Sequence, residues 1–96
     1  MSETATVTKI KLKKPKLYKV VLLNDNFTPM EFVLYILQDI FGMNAKSSYD
    51  LMMKIHLDGK GVAGIYSKEI AETKANETIF IAKSANHPLK AIVEIT

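Results

Sequence analysis

Apolar and polar positions divide the chain into six segments. Leu17, Lys19, Val21 and Leu23 alternate with Tyr18, Val20 and Leu22, a period of two that predicts a strand over 17–23. Both sides of that alternation are largely apolar, so one face is buried and the other partly covered. From Pro29 to Phe41 the pairs Phe32–Val33, Ile36–Leu37 and Ile40–Phe41 recur every fourth residue, with Glu31, Gln38 and Asp39 off the stripe. This spacing predicts an amphipathic helix. Thr28 and Glu31 have the spacing of a capping box around Pro29, and Gly42 suits a left-handed stop. Asn44 is placed to cap a second helix over 45–57, halted by Asp58-Gly59-Lys60-Gly61. Val62–Tyr66 predicts a short strand. Ser67 would cap a third helix over 68–84, with Ile70, Ala71, Ala75, Thr78, Ile79 and Ala82 inward. Asn86-His87-Pro88 breaks it, and Leu89–Ile95 alternates as a last strand.

The order strand, helix, helix, strand, helix, strand predicts an α+β domain. Three helices pack on a three-stranded, mostly antiparallel sheet, order βααβαβ. Ninety-six residues make one domain with a modest core, and 48% hydrophobic content marks it as globular. Without cysteine there is neither a disulfide framework nor a thiolate metal site. No apolar run approaches the roughly 18 residues of a membrane span. Nor is there a signal-peptide core at the N-terminus. The default is a soluble, cytoplasmic protein.

Charge divides the chain at Lys16. Residues 1–16 hold five lysines against Glu3, a net +4, whereas residues 17–96 hold eight lysines and nine acids, a net −1. Residues 1–16 are expected to form a flexible basic extension, and 17–96 the core domain. A near-neutral core argues against a nucleic-acid-binding face on the fold itself, though the tail could touch phosphate. A ribosome- or nucleic-acid-associated module using that tail is the alternative function.

Little in the sequence suggests catalysis. His56 lies near a helix C-terminus, where a lone imidazole is commonly a surface group that suits the dipole. His87 sits by a proline, and no spacing pairs the two histidines around a metal. Ser47, Ser48 and Ser67 are explained by helix starts. Met30, Met52, Met53, Val33 and Ile55 suit a core or an adaptable apolar pocket. The polar run Asn24-Asp25-Asn26 reads locally as a turn. The chain is expected not to be an enzyme and to need no cofactor or metal.

Five motifs stand in order: Tyr18–Asp25, Thr28-Pro29-Met30-Glu31-Phe32-Val33, His56 with Gly59-Lys60-Gly61-Val62, Ala71-Glu72-Thr73-Lys74, and His87-Pro88-Leu89. In that combination the chain resembles the ClpS adaptor family from Tyr18 to its C-terminus. The resemblance implies a fold similar to the C-terminal domain of the ribosomal stalk protein. It implies an adaptor that binds proteins beginning with Leu, Phe, Tyr or Trp and delivers them to the ClpAP unfoldase–protease. It assigns the α-amino group to Asn24, Asn26 and His56, with Asp25 in support. It assigns the apolar side chain to Leu22, Leu23, Thr28, Met30, Val33, Met52, Ile55 and Leu89. Docking on the N-terminal domain of a ClpA-type unfoldase falls to Glu69, Glu72 and Lys74. The family usually carries Asp where this chain has Asn26, and a Met at the position of Met30 excludes β-branched first residues.

Overall fold

The computed structural model describes residues 15–96. The basic extension expected over 1–16 lies outside the described residues, apart from its last two. The elements are β1 (Tyr18–Leu23), α1 (Met30–Asp39), α2 (Ala45–Asp58), β2 (Lys60–Tyr66), α3 (Lys68–Ser84) and β3 (Lys90–Ile95). The strands form one sheet in the order β2-β1-β3, and both pairings are antiparallel. This is the expected α+β, βααβαβ arrangement.

The central strand explains its own composition. Val20 and Leu22 are completely buried within the core, together with Ile36 and Leu37 of α1 and Met52 and Ile55 of α2. Val21 points to the opposite face yet is only 2% exposed. Its register partners there are Val62 and Ile92. The register of β1 against β2 slips between Val20 and Val21, which leaves Ala63 as an extra residue in β2. Such a bulge sharpens the local twist of the ribbon.

Gly61 faces α2. A Cβ there would stand 2.9 Å from both Ile55 Cγ1 and Leu51 Cδ1. Only a glycine lets β2 approach α2 this closely.

Helix ends follow three of the expected signals. Asn44 caps α2 through Oδ1, which accepts from Ser47 N–H at 2.8 Å. Gly42 and Gly59 both adopt left-handed φ, 67° and 92°. After α3, Asn86 takes φ 63°, and His87 N–H returns to Ala82 O at 2.8 Å, a Schellman closure.

Several expectations are corrected. The Thr28–Glu31 capping box does not form: Pro29 occupies the N-cap, and no side chain caps α1. Ser67 likewise stands at the N-cap of α3 without a side-chain bond. Ile70, expected inward, is 49% exposed. β2 begins at Lys60, two residues early, because Lys60 pairs with Leu23.

Lys74 joins two distant parts of the chain. Its Nζ donates to Ile40 O at 2.8 Å, satisfying a carbonyl at the end of α1. It also lies 5.9 Å from the Phe41 ring centroid and 5.5 Å from that of Tyr66. Ser48, fully buried, accepts from Gln38 Nε2 and donates to Ala45 O, so its hydroxyl ties α1 to α2. Among the described residues no helix is long and apolar enough to cross a membrane.

Candidate functional site

A polar turn, residues 24–29, links β1 to α1. Its shape is set by Asp25. Oδ1 accepts from Phe27 N–H at 2.8 Å and from Thr28 N–H at 2.7 Å. Oδ2 accepts from the Thr28 hydroxyl at 2.7 Å. The missing capping box follows from this geometry: the Thr28 hydroxyl is turned toward Asp25, and Thr28 stands one residue before the N-cap Pro29 rather than at it. Burial alone would raise the Asp25 carboxyl. The Thr28 and Phe27 donors, with the field of His87, outweigh it and leave the group below its ordinary value of 3.8.

The turn is also held at its start. Asn24 N–H donates to Gly59 O at 2.9 Å. Gly59 in turn terminates α2, its own N–H reaching Ile55 O. One left-handed residue therefore holds the last turn of α2, with His56, against the turn that carries Asn24 and Asn26.

Between these parts lies a cleft of about 200 Å³. Its polar side is Asn24, Asp25, Asn26, Thr28 and His56, and its apolar side is Met30 and Val33 of α1 with Met52 and Ile55 of α2. Pockets for whole small molecules run about 300–1,000 Å³, so this one is sized for a single side chain. Among the described residues no protein hydrogen bond engages the side chains of Asn24, Asn26 or His56. Their amide and imidazole atoms retain acceptor capacity for a ligand.

The structure thus gathers most of the residues singled out in the sequence. All four assigned to the amine, Asn24, Asp25, Asn26 and His56, line the cleft, as do Thr28, Met30, Val33, Met52 and Ile55. Three others stand elsewhere. Leu22 alternates toward the helices and is consumed by the core. Leu23 points to the other side of the sheet and borders a separate hollow with Phe27, Pro88 and Lys90. Leu89 is 3% exposed and borders a groove between α3 and β3. Asp25 lines the cleft, but its oxygens are occupied by the turn. Glu69 and Glu72 are exposed on α3, whereas the Lys74 ammonium is engaged within the domain.

Sequence reasoning missed Phe27, which is 80% exposed beside the cleft. Its signal was present: a large aromatic inside an otherwise polar turn. The second histidine, His87, packs edge-on to the Phe32 ring with centroids 4.5 Å apart. Among the described residues no group of three or more His, Cys, Asp or Glu is placed to hold a metal ion.

Fold and cleft define a small α+β domain with a mixed polar and apolar cleft beyond one end of its sheet. The comparisons with known proteins are specific. Residues 13–92 match the family described as ATP-dependent Clp protease adaptor protein ClpS. The ATP-dependent Clp protease adapter protein ClpS of Albidiferax ferrireducens is 51% identical over 84 residues, 88% of this chain and 70% of the relative. That of Nitrosospira multiformis is 45% identical over 86 residues, 90% of this chain and 84% of the relative. Among solved structures, Agrobacterium tumefaciens ClpS2 bound to L-phenylalaninamide superimposes with a TM-score of 0.84 at 42% identity, covering 86% of this chain and 100% of that one. The chain belongs to the ClpS family of Clp protease adaptors.

Proposed function

We propose that this adaptor recognises the N-terminus of a polypeptide by two groups at once, a free α-amino group and a bulky apolar first side chain. One observation carries the reading: Asn24, Asn26 and His56 line one cleft together with the apolar Met30, Val33, Met52 and Ile55. An α-ammonium offers three donors and no acceptor, so it is met by convergent oxygen or imidazole acceptors. An apolar first residue gains about 1.5–3 kcal/mol from complete burial. L-phenylalaninamide, carried by the Agrobacterium relative, contains both groups and little else.

The preferred first residues are Leu, Phe, Tyr and Trp. Met30 stands at the first residue of α1, half-exposed over the cleft, where it crowds a branched Cβ. Asn26 accepts through a neutral amide, so the amine is held without the charge-assisted bond that a carboxylate would give. Captured chains are handed to a ClpA-type unfoldase through its N-terminal domain. Glu69 and Glu72, exposed at the start of α3, are offered for that contact, while Lys74 supports the surface from within.

Titration calorimetry with a Leu-initiated decapeptide tests the reading. The free-amine peptide should bind at least tenfold more tightly than its N-acetylated twin. Equal affinity for the two would overturn it.

A further inference from the structure

Three concavities share walls in series. The cleft and a shallow apolar hollow have Asn24 and Asp25 in common. Across the hollow lie Phe27, Pro88 and Lys90. Pro88 and Lys90 also begin the third, a groove of about 370 Å³ along Leu89, Ala91 and Ile92 of the β3 segment, walled by Ile79 and Lys83 of α3. β3 is a terminal strand of the sheet and pairs with β1 alone among the described residues. Its other edge offers unpaired backbone groups to an extended chain.

Charge along this route is one-sided. Lys83 and Lys90 border the hollow and groove, against Asp25 as the one acid. The Asp25 oxygens already serve the turn's own donors. Phe27, with four-fifths of its surface open, lines the hollow that adjoins the cleft. Apolar walls, a free strand edge and a cationic rim together suit an extended peptide with acidic residues.

We infer that the substrate segment downstream of the bound N-terminal residue is laid over Phe27 and Pro88 into the groove beside β3. Acidic residues a few positions from the N-terminus are favoured there by Lys90 and Lys83. This inference rests on the cleft reading above, and the experiment separates the two.

Two decapeptides share Leu-Ala at their start and carry either four acidic or four basic residues at positions three to six. Leucinamide is the minimal ligand, and each probe is measured with a free and an acetylated amine, by calorimetry at low salt. The acidic peptide should bind roughly threefold to tenfold more tightly than the basic one. The preference should shrink in 0.5 M salt. The double variant Lys83→Glu/Lys90→Glu should reverse the order and leave leucinamide unchanged. Phe27→Ala should weaken both decapeptides and spare leucinamide. Free-amine-dependent binding with acidic and basic peptides within twofold of each other would overturn the downstream path alone. Loss of amine dependence in every probe would overturn the cleft reading and this inference with it.

Discussion

Replacing Asp25 by Ala should unfasten the polar turn while leaving the domain folded. The carboxylate accepts three hydrogen bonds, from Phe27 N–H, Thr28 N–H and the Thr28 hydroxyl, at 2.7–2.8 Å. Bonds to a charged acceptor contribute about 1.5–3 kcal/mol each when buried, but this carboxylate is partly open to water. The loss of a comparable helix-capping acceptor costs about 0.5–2 kcal/mol, so a total near 2 kcal/mol is reasonable for the turn. That corresponds to about thirtyfold in the equilibrium between ordered and open turn. Affinity for a Leu-initiated peptide should fall by up to that factor, because only the ordered turn presents Asn24 and Asn26 to the cleft. Asp25→Asn keeps one accepting oxygen and should lose about threefold. Thr28→Val removes one donor and should behave similarly.

Two assays check the series independently of each other. Calorimetry reads affinity, and amide hydrogen exchange reads protection at Phe27 and Thr28 without any ligand. Acid gives a further check with a defined sign. The folded-state carboxyl lies below 3.8, so its contribution is complete above that value and is lost as pH falls through the lowered pKa. Turn protection, corrected for intrinsic exchange, should therefore be level from pH 8 to pH 5 and decline only below about pH 4. If Asp25→Ala left both affinity and Phe27 and Thr28 protection within twofold of the parent, the carboxylate would not be what shapes the turn.

Four further outcomes are expected. Asn26→Asp should tighten binding of free-amine peptides about fivefold at low salt and steepen the salt dependence, read by calorimetry across ionic strengths; unchanged affinity would place Asn26 away from the amine. Met30→Ala should admit Ile- and Val-initiated peptides, raising their affinity relative to Leu by about tenfold in a competition assay; persistent exclusion would show that Met30 is not the gate. Gly61→Ala drives a methyl against Ile55 and Leu51 and should cost about 1–3 kcal/mol, a fall of several degrees or more in Tm by calorimetry. Lys74→Met should lower urea stability by about 1–2 kcal/mol by orphaning the Ile40 carbonyl; an unchanged midpoint with lost unfoldase binding would make it a docking residue alone.

The elements were legible because their signals are local. Alternation in 17–23, the four-residue recurrence in 29–41, and glycines at 42 and 59 each act within a few residues. The capping box failed for an equally physical reason: bonds to Asp25 draw Thr28 into the turn, and the helix begins one residue later with Pro29 at its N-cap, which no positional rule weighs. The bulge at Ala63 and the reach of Lys74 to Ile40 depend on tertiary contact, and nothing in their own neighbourhood announces them.

The candidate site was legible in part. Asn24, Asn26 and His56 are unremarkable polar residues by pattern alone, and only the resemblance gave them a common purpose. Leu22, Leu23 and Leu89 were assigned to the pocket by the resemblance alone. The pleat sends Leu22 and Leu23 to opposite faces of the sheet, so Leu22 is spent in the core and Leu23 borders a separate hollow.

The bond from Asn24 to Gly59 has a kinetic consequence. It ties the turn to the end of α2 backbone to backbone, so the two sides of the cleft are already set against each other in the folded domain. A receptor built this way has its ordering cost settled during folding, before any partner arrives. Capture is then expected to need no closing step, and release no opening one. Association should be limited by encounter and orientation, and residence time by the fit of one side chain, which suits a carrier that must give up its cargo to a motor downstream.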